Sequence, residues 1–420
     1  MADGELAAWS QRRLKVRRLQ VIFKVVERCN LACSYCYYFF GGDQSYKERP
    51  ARVSMAVADQ LEAFLRTAID DLLIDEIDIV FHGGEPMLQR LEEFEVMCGR
   101  FRALQTGSCR ISLAIQTNGT RFSPAWNEAL SRHEVNIGVS IDGPPAINDS
   151  NRPFHNGKGS SAPIEKGLKL LSEGAPDYYR RKVGSLTVLD AANDYRRIVD
   201  YFASDLGIRT QGYLLPDCSH DDGIPDGRPA SDYGEMLCTL FDAWVARGDI
   251  SIREISNVFR RFQYARVSAE GQTHMAALDA RQVQVIGNHV LVVHSNGDLK
   301  VDDSYIPAAA WQQAAPVANL SSTTLADYLR AECFEELYRA METPPDACRG
   351  CLWLAICGGG DIENRWSSEN RFNNPSVFCD ALKMFYDRVV GYLVEHGYPI
   401  DSIARRLSGQ YDPFVAGYAA

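Results

Sequence analysis

Apolar positions in the first half of the chain alternate between two rhythms. Short β-rich runs occur at LQVIFKVV (19–26), IDIVFHG (77–83), RISLAIQT (110–117), VNIGVSID (135–142), KVGSLTV (182–188) and IRTQGYLL (208–215). Stretches with helical spacing lie between them, at 54–70, 90–105, 161–173 and 193–206. Strands alternating with helices predict βαβ units around a parallel sheet, hence an α/β fold. Six such units fit a partial, TIM-like (β/α)6 barrel better than a closed eight-stranded one. Four strand ends carry polar or glycine-rich punctuation: ERCN, HGGEP, QTNGT and SIDGPP. Ligands of parallel α/β folds sit at the carboxyl ends of strands, so these segments are expected to converge on one face.

After about residue 232 the rhythm changes. Helical stretches at 232–247 and 251–266 lead to HVLVVHSNGDLKVDDS, two alternating runs around Asn296-Gly297 that predict a hairpin. A helix at 323–341 and helical stretches from 380 onward complete a smaller, loop-rich module. The Asp-, Gly- and Pro-rich segment 216–231 is expected to be the softest loop. The chain thus divides into an N-terminal extension (1–18), a barrel (19–231), a helical bridge (232–288), a small second domain (289–380) and a C-terminal helical segment (381–420).

Composition narrows the classes of function. The 420 residues are 46% apolar and 24% charged, enough for a real core and against wholesale disorder. A net charge of −11 argues against a general nucleic-acid binder. No apolar run is long enough to span a membrane, and the N-terminus lacks the apolar stretch of a signal peptide. The basic cluster Arg12, Arg13, Lys15, Arg17 and Arg18 reads as a solvated face, with a landing site for an acidic peptide as the alternative. Twelve cysteines without an export signal imply reduced thiols and a cytoplasmic setting, so clustered cysteines suggest metal rather than disulfides. Cys98, Cys109, Cys218, Cys238 and Cys333 are isolated and read as small buried hydrophobes.

Cys29, Cys33 and Cys36 lie in CNLACSYCYYF, at gaps of three and two residues. A structural zinc site needs a fourth ligand, and no other Cys or His lies within forty residues of Cys36. A redox pair would leave Cys29 unexplained. Three thiolates can hold three corners of a [4Fe–4S] cluster and leave one iron open for a small molecule.

This C-x3-C-x2-C, with Tyr35 just before its last cysteine and a strand before it, resembles the motif of the radical S-adenosylmethionine (radical SAM) family. The resemblance implies S-adenosyl-L-methionine bound at the open iron, cleaved to a 5′-deoxyadenosyl radical by an electron from a flavodoxin- or ferredoxin-type reductant. Gly83, Gly84, Glu85 and Pro86 look like the family's motif for the cofactor's amino group, with glycines for close approach and a carboxylate as acceptor. QTNGT, VSIDGP and NDSNR resemble further family segments, making Asn118, Ser140 and Arg152 candidates for the adenosine, polar and carboxylate contacts. For each of these three, a cap or turn is the competing reading.

Cys348, Cys351, Cys357 and Cys379 form C-x2-C-x5-C followed 22 positions later by a fourth cysteine. By spacing alone they could hold zinc or an iron–sulfur cluster. After such a barrel the pattern resembles the SPASM extension, which binds auxiliary [4Fe–4S] clusters. The ligands of that extension's first cluster are missing: Asp302 stands at the hairpin cysteine position, Asp361 at the position beyond Cys357, and residues 239–332 hold no cysteine. The resemblance therefore implies one auxiliary cluster, fully ligated by the four thiolates. It also makes Asp303, and Asp302 beside it, candidate bases facing the substrate, against the alternative of a solvated strand end.

CRGCLWLAICGGG and VHSNGDLKVDDS look like radical SAM/SPASM peptide maturases that crosslink ribosomally made precursor peptides, including the cyclophane-forming branch. In that branch the adenosyl radical removes a side-chain β-hydrogen, the carbon radical attacks an acceptor such as an aromatic ring, and loss of an electron and a proton completes the bond. Only 28 residues precede Cys29, too few for a winged-helix leader-binding element, so leader recognition is expected from the barrel, from 380–420 or from a separate protein. The rivals are epimerisation, thioether or ether formation, formylglycine formation on a sulfatase, a small-molecule radical SAM dehydrogenase, and a non-catalytic metal-cluster scaffold.

Overall fold

The structure, a computed structural model, describes residues 13–40, 45–263 and 283–409. Arg12, residues 264–282 of the expected bridge and 410–420 of the C-terminal segment lie outside the described residues. The six predicted strands are β1 (Arg13–Val26), β2 (Glu76–Gly83), β3 (Arg110–Thr117), β4 (Asn136–Ser140), β5 (Val183–Val188) and β6 (Thr210–Leu214). They pair in parallel in that order. β3, β4 and β5 alternate between two environments. In β3, Ile111, Leu113 and Ile115 are buried against the helical layer, whereas Ser112 and Gln116 bond to Asn136 and Ser140 on β4.

Four further strands complete the sheet, two of them the arms of the predicted hairpin. β7 (Ser251–Ile252) extends the β6 edge in parallel. β8 (Val283–Val293) pairs in parallel with β1 on the opposite side. β9 (Asp298–Val301) turns back antiparallel on β8, and β10 (Ala318–Asn319) continues from it. The result is one open ten-stranded sheet, ordered β10-β9-β8-β1-β2-β3-β4-β5-β6-β7. The predicted hairpin therefore belongs to the barrel sheet. Of its two turn residues, Gly297 alone takes a positive φ, of 86°.

Two residues of the basic cluster, both on the central strand β1, have acidic partners. Lys15 pairs with Asp75 at 3.4 Å and Arg18 with Asp78 at 2.5 Å, so these cations are tied to the β2 region. Helices Pro124–Arg132, Pro145–Asn151 and Pro176–Lys182 were not expected from the periodicity. Each begins on a proline, where the missing N–H would have no helical partner anyway. The segment 216–231 is pinned rather than loose: the Asn364 amide donates to the Pro216 and Cys218 carbonyls, and His220 to that of Pro375. Helix Cys379–Glu395 packs along helix Ala230–Arg247. The approach is close enough that a Cβ at Gly234 would lie 2.6 Å from Met384 Sδ. All twelve cysteines are free; Cys98, Cys109, Cys218 and Cys333 are buried as expected, and Cys238 is half-buried. Among the described residues no helix is long and apolar enough to cross a membrane.

Candidate active site

The loop carrying Cys29, Cys33 and Cys36 leaves the end of β1 and is clamped from two sides. Gly84 and Glu85 donate backbone N–H groups to the Val26 and Arg28 carbonyls, at 2.8 and 3.0 Å. On the other side Ala32 and Ser34 bond to the carbonyls of Pro153 and Asn151. The glycines have a local reason. Gly83 sits at φ 131°, and a Cβ on Gly84 would lie 2.2 Å from the Arg28 oxygen. The close approach they permit here is that of β2 to the cysteine loop.

Glu85 is fully buried, with Pro86 starting a short turn beside it. Its carboxylate accepts from Met87 N, Thr117 Oγ1 and Asn118 N at 2.9, 2.7 and 2.8 Å, tying the ends of β2 and β3 together. Burial raises this carboxyl, and those three donors oppose the rise. Asn118 donates to Asn30 Oδ1 at 2.9 Å and lies 3.8 Å from the Cys29 sulfur, so it braces the cysteine loop from β3. Ser140 accepts from Gln116 at 2.7 Å. Tyr35 is 40% exposed, yet its hydroxyl donates to Asp142 at 2.8 Å and accepts from Arg152 at 2.6 Å. Arg152 is itself buried, and its Nε has no hydrogen-bond partner. One guanidinium donor in this corner therefore stays open for an anionic group.

A second polar group lies on the hairpin side of the same strand ends. Lys24, in the middle of an apolar β1 run, is fully buried and pairs with Asp303 at 2.5 Å. Its ammonium also lies 3.4 Å from His82 Nδ1 and 4.6 Å from the Tyr38 ring centre. Burial alone would raise the Asp303 carboxyl, but the Lys24 ammonium holds it below the usual range. Burial pushes neighbouring Asp302 upward. Glu27, also fully buried, accepts from His294 at 3.0 Å and from the Tyr38 hydroxyl. Sequence reasoning missed Lys24, Glu27, His82, Asp142 and His294. Lys24 and Glu27 did leave a signal, as charges inside or at the end of a strand-like apolar run.

Cys348, Cys351, Cys357 and Cys379 line one small cavity of about 20 Å³ with Trp353 and Tyr386. Among the described residues, no three His, Cys, Asp or Glu side chains converge as ligands of a single metal ion. This bears on the donor chemistry. Tetrahedral zinc draws four sulfurs to about 2.3 Å of one point. A cluster takes each thiolate on a different iron and leaves the sulfurs farther apart. Both cysteine groups, free, neighbouring and not gathered on one point, fit clusters better than single ions. Burial pushes the Cys29 thiol up to about 12, and raises Cys33 and Cys36, so metal must displace their protons.

Residues 23–194 match the sequence model of the Radical SAM superfamily. Residues 23–194, with the strand-end cysteine loop and parallel strands, are therefore a radical SAM domain, and the protein is an enzyme. A radical SAM domain takes S-adenosyl-L-methionine and a [4Fe–4S] cluster as its cofactors. A serine-type anaerobic sulfatase-maturating enzyme of Bacteroides thetaiotaomicron is 25% identical over 384 residues, 87% of each chain. A cysteine-type anaerobic sulfatase-maturating enzyme of Clostridium perfringens is 24% identical over 368 residues, 86% of this chain and 92% of that one. The fold resembles anSMEcpe solved with bound AdoMet and a Kp18Cys peptide (TM-score 0.71, 20% identity, 90% of this chain and 99% of that one). It also resembles Streptococcus suis SuiB bound to the precursor peptide SuiA (TM-score 0.56, 17% identity, 83% and 72%).

Proposed function

We propose that this enzyme crosslinks side chains of a ribosomally made precursor peptide oxidatively, forming a cyclophane-type carbon–carbon bond in a reducing, cytoplasmic setting. In this reading the barrel spans 19–231 and the SPASM-like domain 289–380, joined by the bridge 232–288 and flanked by 1–18 and 381–420. Cys29, Cys33 and Cys36 would hold the cluster that binds S-adenosyl-L-methionine, and Cys348, Cys351, Cys357 and Cys379 a single auxiliary cluster. Tyr35, Gly83, Gly84, Glu85, Pro86, Asn118, Ser140 and Arg152 would surround the methionine and adenosine. With its cofactors bound, the site supplies a 5′-deoxyadenosyl radical that takes one hydrogen atom from the peptide.

The observation that carries the proposal is the hairpin carboxylate Asp303, brought to the barrel's strand ends by its 2.5 Å bond to Lys24. Crosslinking requires a proton and an electron to leave the substrate after the hydrogen atom; the auxiliary cluster would take the electron, and Asp303 is an ionised acceptor for the proton in a water-poor setting. Lys24 holds it in place and His82 stays neutral beside it, because burial and the Lys24 charge push the imidazole down to about 3. Asp302, with its raised carboxyl, is the second candidate base. A one-electron reductant of flavodoxin or ferredoxin type and, where needed, a separate leader-binding protein are the partners this reading requires.

The sulfatase-maturase relatives favour a second reading, oxidation of a serine or cysteine to formylglycine. Reduced enzyme should be incubated with S-adenosyl-L-methionine and the short peptide encoded beside its gene, and the product fragmented in a mass spectrometer. Crosslinking removes two hydrogens and suppresses fragments between the joined residues. A product that reacts with hydrazide and fragments throughout would replace crosslinking by formylglycine formation.

A further inference from the structure

The positions of Asp302 and Asp361, where sequence reasoning expected cluster ligands, face a second cavity of about 380 Å³ between the hairpin and the second cysteine group. Glu363 and His289 line it as well. None of the three carboxylates is in an ion pair among the described residues. Arg365, also at the wall, directs its guanidinium to the Phe372, Ala340 and Thr343 carbonyls. Burial raises the Asp361 carboxyl and nearby Arg261 and Arg253 oppose the rise, but these two donate to the Ile356 carbonyl and to Glu254. A second, independent feature points to a ligand. His289 is 95% buried, its Nδ1 is bonded to the Tyr338 hydroxyl at 2.6 Å, and its Nε2 has no partner. A buried polar atom without a partner, beside carboxylates without cations, marks a site whose complement comes from outside the chain.

The carboxylates do not gather on one point, so a compact metal ion does not fit them among the described residues. A planar, extended cation with several donors does. We propose that this cavity is a guanidinium subsite that takes an arginine side chain of the peptide substrate and fixes the register of the peptide over the strand ends. The link is direct, because Asp302 lines the cavity while the next residue, Asp303, pairs with Lys24 at the barrel. The inference rests on the peptide-modifying reading only for the source of the arginine.

Binding can be measured without turnover, by titrating the anaerobic holoenzyme with N-acetyl-arginine amide and with the neutral isostere N-acetyl-citrulline amide. The arginine probe should bind and the citrulline probe should bind roughly tenfold or more weaker, with Asp361→Asn and Glu363→Gln each reducing arginine binding by a similar factor. Iron content confirms that each variant is folded, and either variant suffices if the other is not. Equal binding of the two probes, no binding of either, or displacement of the arginine probe by Mn²⁺ would overturn the proposal. If the arginine probe binds and no peptide is modified, the peptide-modifying reading fails while the subsite stands. A modified peptide without probe binding fails the subsite alone.

Discussion

At the scale of single residues, the buried charges decide what the site can do. Glu85 satisfies three donors from two strand ends. Glu85→Gln places an amide where only acceptors fit and should lower stability by about 1–3 kcal/mol, read as a drop in the thermal midpoint. An unchanged midpoint would mean the carboxylate is not the tie described. Asp303→Asn should reduce crosslinked product by roughly 10²–10⁴-fold while S-adenosyl-L-methionine is still consumed, which chromatography of 5′-deoxyadenosine and peptide together would show. Parallel loss of both would make Asp303 a binding residue and not a proton acceptor. Asp217 keeps contact with solvent, but the surrounding protein and the Asp302, Asp303 and Asp361 carboxylates push it up to about 7. A carboxyl raised in the fold above its unfolded value of about 4 contributes stability at low pH that is lost as pH rises through about 7. Thermal unfolding of Asp217→Asn should therefore vary less between about pH 5 and 8 than that of the parent.

At the scale of elements, the legible and illegible parts separate on physical grounds. The six strands were readable because each is a short apolar run bounded by turn residues, and the cysteine loop because ligand spacing is local. The pairing of β8 with β1 was not, since a parallel partnership across more than two hundred residues leaves no mark in either segment alone. The pairing of Lys24 with Asp303 was equally illegible, since the charge inside the β1 run and the hairpin carboxylate each stood out without pointing to the other. The Gly-Gly turn was found for its cofactor, yet its measurable duty is backbone contact with Val26 and Arg28. Gly84→Ala should push the β2 end off the cysteine loop and cut bound iron by about four per chain, with the auxiliary cluster retained. Full iron occupancy in that variant would show that the loop tolerates the displacement.

At the scale of the whole molecule, one continuous sheet joins the cysteine loop at the end of β1 to the hairpin that carries Asp302 and Asp303. Helix Cys379–Glu395, which bears the last cysteine, is packed onto helix Ala230–Arg247 just beyond the barrel. Chemistry at the strand ends and the second cysteine group are thus held in one frame. Anaerobic reconstitution should give about eight irons per chain, two cubanes' worth; about twelve would mean that Asp302 and Asp361 do not mark a missing cluster, and about four would deny the auxiliary one. The central claim, that the radical acts on a peptide side chain, is tested most directly with a precursor peptide deuterated at individual β-carbons. Deuterium should appear in 5′-deoxyadenosine from one β-carbon only, the same carbon that carries the new bond. Deuterium arriving from an α-carbon, or none from any labelled peptide, would contradict it.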